Sequence, residues 1–293
     1  MHKAGFVNIV GNPNVGKSTL MNQLVGEKLS IATFKAQTTR HRIMGIVNTD
    51  DAQIVFSDTP GVLKPNYKMQ EMMLQFSESA LADADILLYV TDVVENPEKN
   101  MDFLDKVSKM TIPVILLINK IDESDQKKLG NLVETWHKLL PNAEILPLSA
   151  KNKFGIDILM KRILELLPES PAFFDKDQLT DKPAKFFVSE IIREKILRYY
   201  DKEIPYSVEV VIERFKEDDR QIHINAIIYV ERSSQKGIIF GHQGMALKKV
   251  STEARKSLER FFDKKIFLET YVKVDKDWRN SQKELNNFGY NPE

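Results

Sequence analysis

"GNPNVGKSTL", residues 11–20, follows the apolar run "FVNIV" (residues 6–10) and opens a stretch with helical patterning. Gly11, Gly16, Lys17 and Ser18 meet the spacing GxxxxGK[ST]. Glycines there let the backbone turn several N–H groups inward, and the following helix offers its positive N-terminal end. Lys17 adds a point charge, and the Ser18 hydroxyl is suited to a magnesium ion. The competing reading, a glycine turn with an exposed lysine, is disfavoured by the strand before and the helix after. Gly11, Asn12, Pro13, Asn14, Val15, Gly16, Lys17, Ser18 and Thr19 therefore form a candidate phosphate cradle.

Working outward, apolar runs alternate with periodic segments as far as about Leu167. "FVNIV", "QIVFSD", "ILLYVTD", "VILLINK" and "EILPLSA" read as strands buried on both faces, separated by stretches such as "EMMLQFSESALADA". That pattern is an α/β sheet, whose ligands gather beyond the carboxyl ends of the strands. Asp58, Asn119 and Ser149 close three of these runs.

In "VFSDTPG", Asp58 is placed to hold magnesium through water, and Gly61 lets its backbone N–H approach a γ-phosphate closely. A strand-ending Asp before a Pro-Gly turn is common, so the motif gains weight only from its neighbours. "NKID" decides the base. An Asp122 carboxylate can accept from both the ring N–H and the exocyclic amine of guanine, a donor pair that adenine lacks, while Lys120 lies along the base and Asn119 ties the loop. Ser149, Ala150 and Lys151 are expected to complete the base pocket with backbone N–H groups.

The ordered set "GNPNVGKS", "TTR", "DTPG", "NKID" and "SAK" resembles a GTPase of the translation-factor-related class across the whole first half. The details "GNPNVGKSTLMNQLVG" and "KAQTTRHRIMGI" are similar to the bacterial Era family in particular. The resemblance implies an α/β P-loop GTPase domain, GTP/GDP and Mg²⁺ as ligands, and a first switch around residues 33–44. It implies a switch threonine that closes over magnesium; the role is matched to Thr39, with Thr38 the alternative. Lys17, Thr39 and Gly61 are then the residues acting on the reaction, and Ser18, Thr39 and Asp58 the metal set. Where many small GTPases carry a water-orienting glutamine, this chain has Val62, which neither donates nor accepts, so slow intrinsic turnover is expected. In similar GTPases an asparagine at the place of Asn14 helps seat K⁺ near the β- and γ-phosphates. A turn-forming Asn after Pro13 is the plainer reading.

The 293 residues are enough for two domains, and 42% hydrophobic with 29% charged is a globular mix. A formal net charge of +0 confines any basic surface to a local patch. The chain has no Cys, which excludes disulfides and thiolate chemistry. "VILLI" and the other apolar runs are far shorter than a membrane span, so a protein neither secreted nor transmembrane is expected.

"LPESPAFFDKDQLTDKPAKF", residues 167–186, carries three prolines and is expected to make few contacts. The boundaries follow as a GTPase domain at 1–170, a linker at 171–184, a second domain at 185–276 and a tail at 277–293. After the linker the patterning gives a helix, two strands, a short helix ending in "GHQG", a long helix and a last strand. Leu247, Val250, Ala254, Leu258 and Phe261 share one face of the long helix. Between Arg232 and Lys265 there are nine basic residues against three acidic ones. Gly241, His242, Gln243 and Gly244 form a GxxG turn that lets a nucleic-acid backbone come close, with Lys248 and Lys249 beyond it to neutralise phosphates and the apolar "GIIF" walling a groove for unstacked bases. This half resembles a smaller α+β KH domain of the type II arrangement. The Era resemblance implies single-stranded RNA near the 3′ end of 16S ribosomal RNA as partner and assembly of the 30S subunit as the process. It also implies a cytoplasmic monomer associated peripherally with the inner face of the membrane. Competing functions are a P-loop ATPase or small-molecule kinase, which would not need "NKID", and a GTP-dependent RNA-binding or scaffold protein without a ribosomal role. In the tail, Trp278 is expected to pack in the core rather than to touch bases.

Overall fold

The computed structural model describes residues 2–291, which divide into two compact units, residues 2–66 with 70–181 and residues 67–69 with 182–291. The first unit alternates strand and helix. Its strands are β1 (Lys3–Gly11), β2 (Ile43–Asn48), β3 (Ala52–Asp58), β4 (Ile86–Asp92), β5 (Val114–Asn119) and β6 (Glu144–Pro147). Its helices are α1 (Lys17–Val25), α2 (Lys68–Ala82), α3 (Met101–Ser108), α4 (Gln126–Leu139) and α5 (Ile156–Leu166). The sheet order is β2-β3-β1-β4-β5-β6. Every residue of β3 and β4 is buried, as continuous apolar strands covered on both faces must be.

The chain turns back across β1 between β3 and β4, so β1 lies at the point where strand order reverses, and "GNPNVGKS" leaves its carboxyl end. Parallel register sets Ile9 beside Asp58, and Asp92 beside Asn119. The polar strand-closing residues thus arrive along one rim.

One strand, β2, was not anticipated from sequence. It pairs antiparallel with β3 through the turn at 49–51, making the sheet mixed. "NTDDA" between two apolar runs is a hairpin signal, but it lies beside the switch segment, whose irregular composition masks the strand.

The segment expected to make few contacts is fastened along the first unit. The Leu179 carbonyl accepts from Ile46 N–H (2.8 Å), Asp181 Oδ1 from Met44 N–H (2.9 Å), and Thr180 Oγ1 donates to the Met44 carbonyl (2.7 Å). Gln53, fully buried, accepts from the Phe173 and Phe174 amides and donates to the Phe174 carbonyl. These bonds fill the outward edge of β2, which would otherwise present unpaired backbone groups.

The second unit runs α6 (Ala184–Tyr199), β7 (Val208–Glu217), β8 (Gln221–Val230), α7 (Ser233–Phe240), α8 (Met245–Phe262) and β9 (Lys265–Val274). β8 is central, antiparallel to β7 and parallel to β9. Alternate residues of β8, from Ile222 to Val230, pack with Leu247, Val250, Ala254 and Leu258 of α8. Phe261 departs from that face: it is 42% exposed and stacks on Phe187. The residues after β9 fold back, with Trp278 buried and its Nε1 donating to the Ser207 carbonyl. Tyr290, also buried, donates through its hydroxyl to Glu209 Oε2, and a short helix α9 (Gln282–Asn287) lies between the two.

Candidate functional site

The phosphate loop has the backbone its glycines require. Gly16 caps α1 at φ 97° without a capping side chain, so the first amides of the helix face the pocket. A Cβ on Gly16 would sit 2.3 Å from Asn119 Nδ2, and one on Gly61 2.7 Å from Pro13 Cα. Both positions therefore need glycine for close approach, and Gly16 for its left-handed conformation as well. Lys17 is buried and donates to the carbonyls of Gly11 (3.0 Å) and Asn12 (2.9 Å), and burial pushes its ammonium down to about 8 against the pull of Asp58 and Glu95.

Ser18, Thr39 and Asp58 converge. Ser18 Oγ lies 2.8 Å from Asp58 Oδ2 and 2.8 Å from Thr39 Oγ1, which is itself 3.2 Å from Asp58 Oδ2. Two hydroxyl protons cannot serve three oxygen–oxygen contacts, so this oxygen cluster suits a hard cation. Asp58 Oδ1 is buried without a hydrogen-bond partner, and burial raises the Asp58 carboxyl despite Lys17 and the hydroxyls of Ser18 and Thr39. The donor set fits Mg²⁺, and the desolvated Lys17 fits a polyphosphate. Thr38 turns the other way, contacting Thr33 Oγ1 and donating to the Lys35 carbonyl, so geometry favours Thr39 between the two.

The base end is bound to the cradle by two side chains, Asn119 and Lys120. Asn119 donates to the Val15 carbonyl (2.8 Å) and accepts from Ala150 N–H (3.0 Å). Lys120, in the left-handed region at φ 61°, donates to the Asn14 carbonyl (2.7 Å) and to Asp92 Oδ2 (2.5 Å). Ser149 Oγ donates to Asp122 Oδ1 (2.6 Å), fixing the carboxylate expected to meet the base. One expectation changes here: the Ser149 amide donates to the Phe154 carbonyl and the Ala150 amide to Asn119, so neither is aimed at a base. Ser149 acts on the site through its hydroxyl, which holds Asp122.

Sequence reasoning missed Asp92, Glu95 and Asn100. Asp92 closes β4 as Asp58 closes β3, so the same rule would have found it. Glu95 carries a carboxyl raised by burial and accepts from Thr91 Oγ1. Asn100 has no local signature. Val62 is buried in the core beside α3, its N–H bonded to the Gly11 carbonyl, so its side chain is packing rather than chemistry.

In the second unit the GxxG turn exposes His242 and Gln243 between α7 and α8. Its two glycines differ. At Gly241 a Cβ would meet Ala246 Cβ at 2.6 Å, whereas at Gly244 the nearest atom is Phe240 Cδ1 at 4.0 Å. Of "GIIF", Ile239 is buried while Ile238 and Phe240 are exposed beside the turn. The basic excess is smaller than the count implies, because Arg255 pairs with Glu259, Lys256 with Glu253 and Lys264 with Glu217. The lysines nearest the turn keep their reach: Lys248 is exposed, and Lys249 lies over the Tyr199 ring at 4.6 Å.

Residues 6–120 match the family described as "50S ribosome-binding GTPase", and residues 203–279 match the KH domain. GTPase Era of Clostridium kluyveri is 44% identical over 292 residues, covering 99% of this chain and 100% of the relative. GTPase Era of Leuconostoc citreum is 45% identical over 295 residues, covering 99% and 97%. Among solved structures, Era in complex with MgGDPNP and nucleotides 1506–1542 of 16S ribosomal RNA superposes with a TM-score of 0.95 at 38% identity, covering 99% of each chain. A point variant of Aquifex aeolicus Era bound to GDP and aluminium fluoride gives a TM-score of 0.94 at 38% identity, covering 98% of this chain and 99% of that one. The matches span both units at 44–45% identity over essentially the whole chain, and the chain belongs to the Era family of GTPases.

Proposed function

We propose that this GTPase couples its nucleotide state to binding single-stranded RNA at the 3′ region of 16S ribosomal RNA, and acts in assembly of the 30S subunit. The carrying observation is the open GxxG turn at Gly244 with Lys248 and Lys249 beyond it, in a chain whose structural relative was solved on 16S nucleotides 1506–1542. His242 and Gln243 leave room for a sugar-phosphate backbone, and exposed Ile238 and Phe240 offer apolar surface to unstacked bases.

At the nucleotide, Asp122 accepts from guanine, the amides of residues 14–19 and Lys17 hold the β- and γ-phosphates, and Gly61 meets the γ-phosphate by its N–H. Ser18, Thr39 and Asp58 would hold Mg²⁺, which when bound neutralises phosphate charge. Lys17 stabilises negative charge as the γ-phosphoryl bond breaks. The residue directly after Gly61 is the buried apolar Val62, which cannot orient water, and this supports slow intrinsic turnover. Asn14 sits in the left-handed conformation at φ 67°, its carbonyl already held by Lys120, and its side chain is assigned to a K⁺ site at the phosphates. We assign the protein to the cytoplasm, as a monomer with peripheral association at the inner membrane face.

Crosslinking the protein to cellular RNA with the nucleotide state controlled tests this reading. Recovery of 16S 3′ sequence that depends on GTP is the expected result. Recovery of unrelated RNA would favour a GTP-dependent RNA-binding protein without a ribosomal role.

A further inference from the structure

Asn100 opens α3 in the left-handed conformation, φ 62° and ψ 46°, which asparagine tolerates better than most side chains. Its Nδ2 donates to Asn12 Oδ1 (2.5 Å) and to the Val62 carbonyl (3.0 Å). A main-chain carbonyl only accepts, so the nitrogen end of the Asn100 amide must face it. The far end of the Asn12 amide reaches Glu95, and the Asn12 carbonyl accepts from Lys17. One side chain from α3 thus touches both the phosphate loop and the residue directly after "DTPG".

The remaining groups of that run are fixed from other directions. Thr59 Oγ1 donates to the Ile9 carbonyl (2.8 Å), Ser77 Oγ to the Pro60 carbonyl (2.8 Å), and Val62 N–H to the Gly11 carbonyl (3.1 Å). Gly61 lies between these anchors against Pro13. The Asn100 bond to the Val62 carbonyl closes the run at its downstream end, where the chain leaves toward residues 63–66.

We propose that Asn100 is a positioning residue for GTP hydrolysis, bridging Asn12 to the Val62 carbonyl and so holding the peptides after "DTPG" against the phosphate loop. The inference rests on the assignment of Gly61 to the γ-phosphate. GDP has no γ-phosphate, so the bridge bears on hydrolysis far more than on GDP binding.

Two substitutions separate the bridge from the fold. Asn100→Gly keeps the left-handed backbone and removes the donor; Asn100→Asp keeps shape and backbone but sets an acceptor against two acceptors. Single-turnover GTP hydrolysis should fall roughly fivefold to twentyfold in the first, as one or two hydrogen bonds are lost, and further in the second. GDP affinity should stay within about twofold and deuterium exchange across residues 61–66 should rise. Hydrolysis within twofold of the parent in both folded variants, with unchanged exchange, would overturn the proposal. An equal loss of GDP affinity and of rate would overturn it too, since that marks a general loosening of the cradle. Exchange at the Gly61 amide of the parent, compared between its GDP and GDPNP complexes, separates the two readings: protection by GDPNP with Asn100 variants at the parental rate would overturn the bridge alone, and no protection would remove the Gly61 assignment and the bridge with it.

Discussion

Asp122 shows how much a single orientation can carry. Its Oδ1 is held by Ser149 Oγ at 2.6 Å, so the carboxylate is presented rather than searching, and discrimination follows from which atoms it offers. Asp122→Asn should cost about 2 to 4 kcal/mol of GTP affinity and favour xanthosine triphosphate, measured by competition binding with the two nucleotides. An unchanged GTP affinity would end the guanine assignment. The neighbouring threonines make a second contrast at this scale. Thr39 stands against Ser18 and Asp58, and Thr38 against its own loop. Thr39→Ala should raise the Mg²⁺ concentration needed for half-maximal hydrolysis severalfold, and Thr38→Ala should leave it nearly unchanged; a reversed order in a magnesium titration would move the role to Thr38.

At the scale of elements, the strap over β2 hangs on one buried amide. Gln53 satisfies three backbone groups of Phe173 and Phe174 from inside β3. Gln53→Leu fills the volume but orphans those groups, so a loss of about 2 to 4 kcal/mol is expected by thermal denaturation. Faster proteolysis between residues 170 and 181 should accompany it, and an unaltered cleavage rate would show that the strap is held by other bonds. The strap also shows where sequence reading stops. The cradle from Gly11 to Thr19 was legible because its parts are contiguous and their spacing is set by the phosphates. β7, β8 and α8 were legible because their periodicity reports burial directly. The strap was not, because Pro-rich polar sequence gives no sign of a partner 120 residues away, and Asn100 was not, because its partners at Asn12 and Val62 meet it only after folding. Phe261 was misplaced for a related reason: helical phase put it on the buried stripe, but one ring of the Phe187 pair stays at the surface.

For the whole molecule, a net charge of zero leaves RNA affinity to one small region. Gly244→Asp meets no close atom and adds about 1 kcal/mol of backbone strain, so the protein should stay folded while the acidic side chain stands where an RNA backbone must pass. RNA binding should be lost with GTP binding intact; full RNA affinity in filter binding by the folded variant would refute the KH reading. Reversing Lys248 and Lys249 should act more mildly and flatten the salt dependence, each lost phosphate contact removing a log–log slope of about 0.7. The strap has a practical consequence as well. A truncation at residue 170, where composition suggests the first domain ends, would strip the outward edge of β2 and leave a bare adhesive strand. Such a fragment should self-associate in light scattering, while one ending at residue 181 stays monomeric. What reads as spacer sequence is then a guard against aggregation, and the safe place to cut this chain lies after the guard.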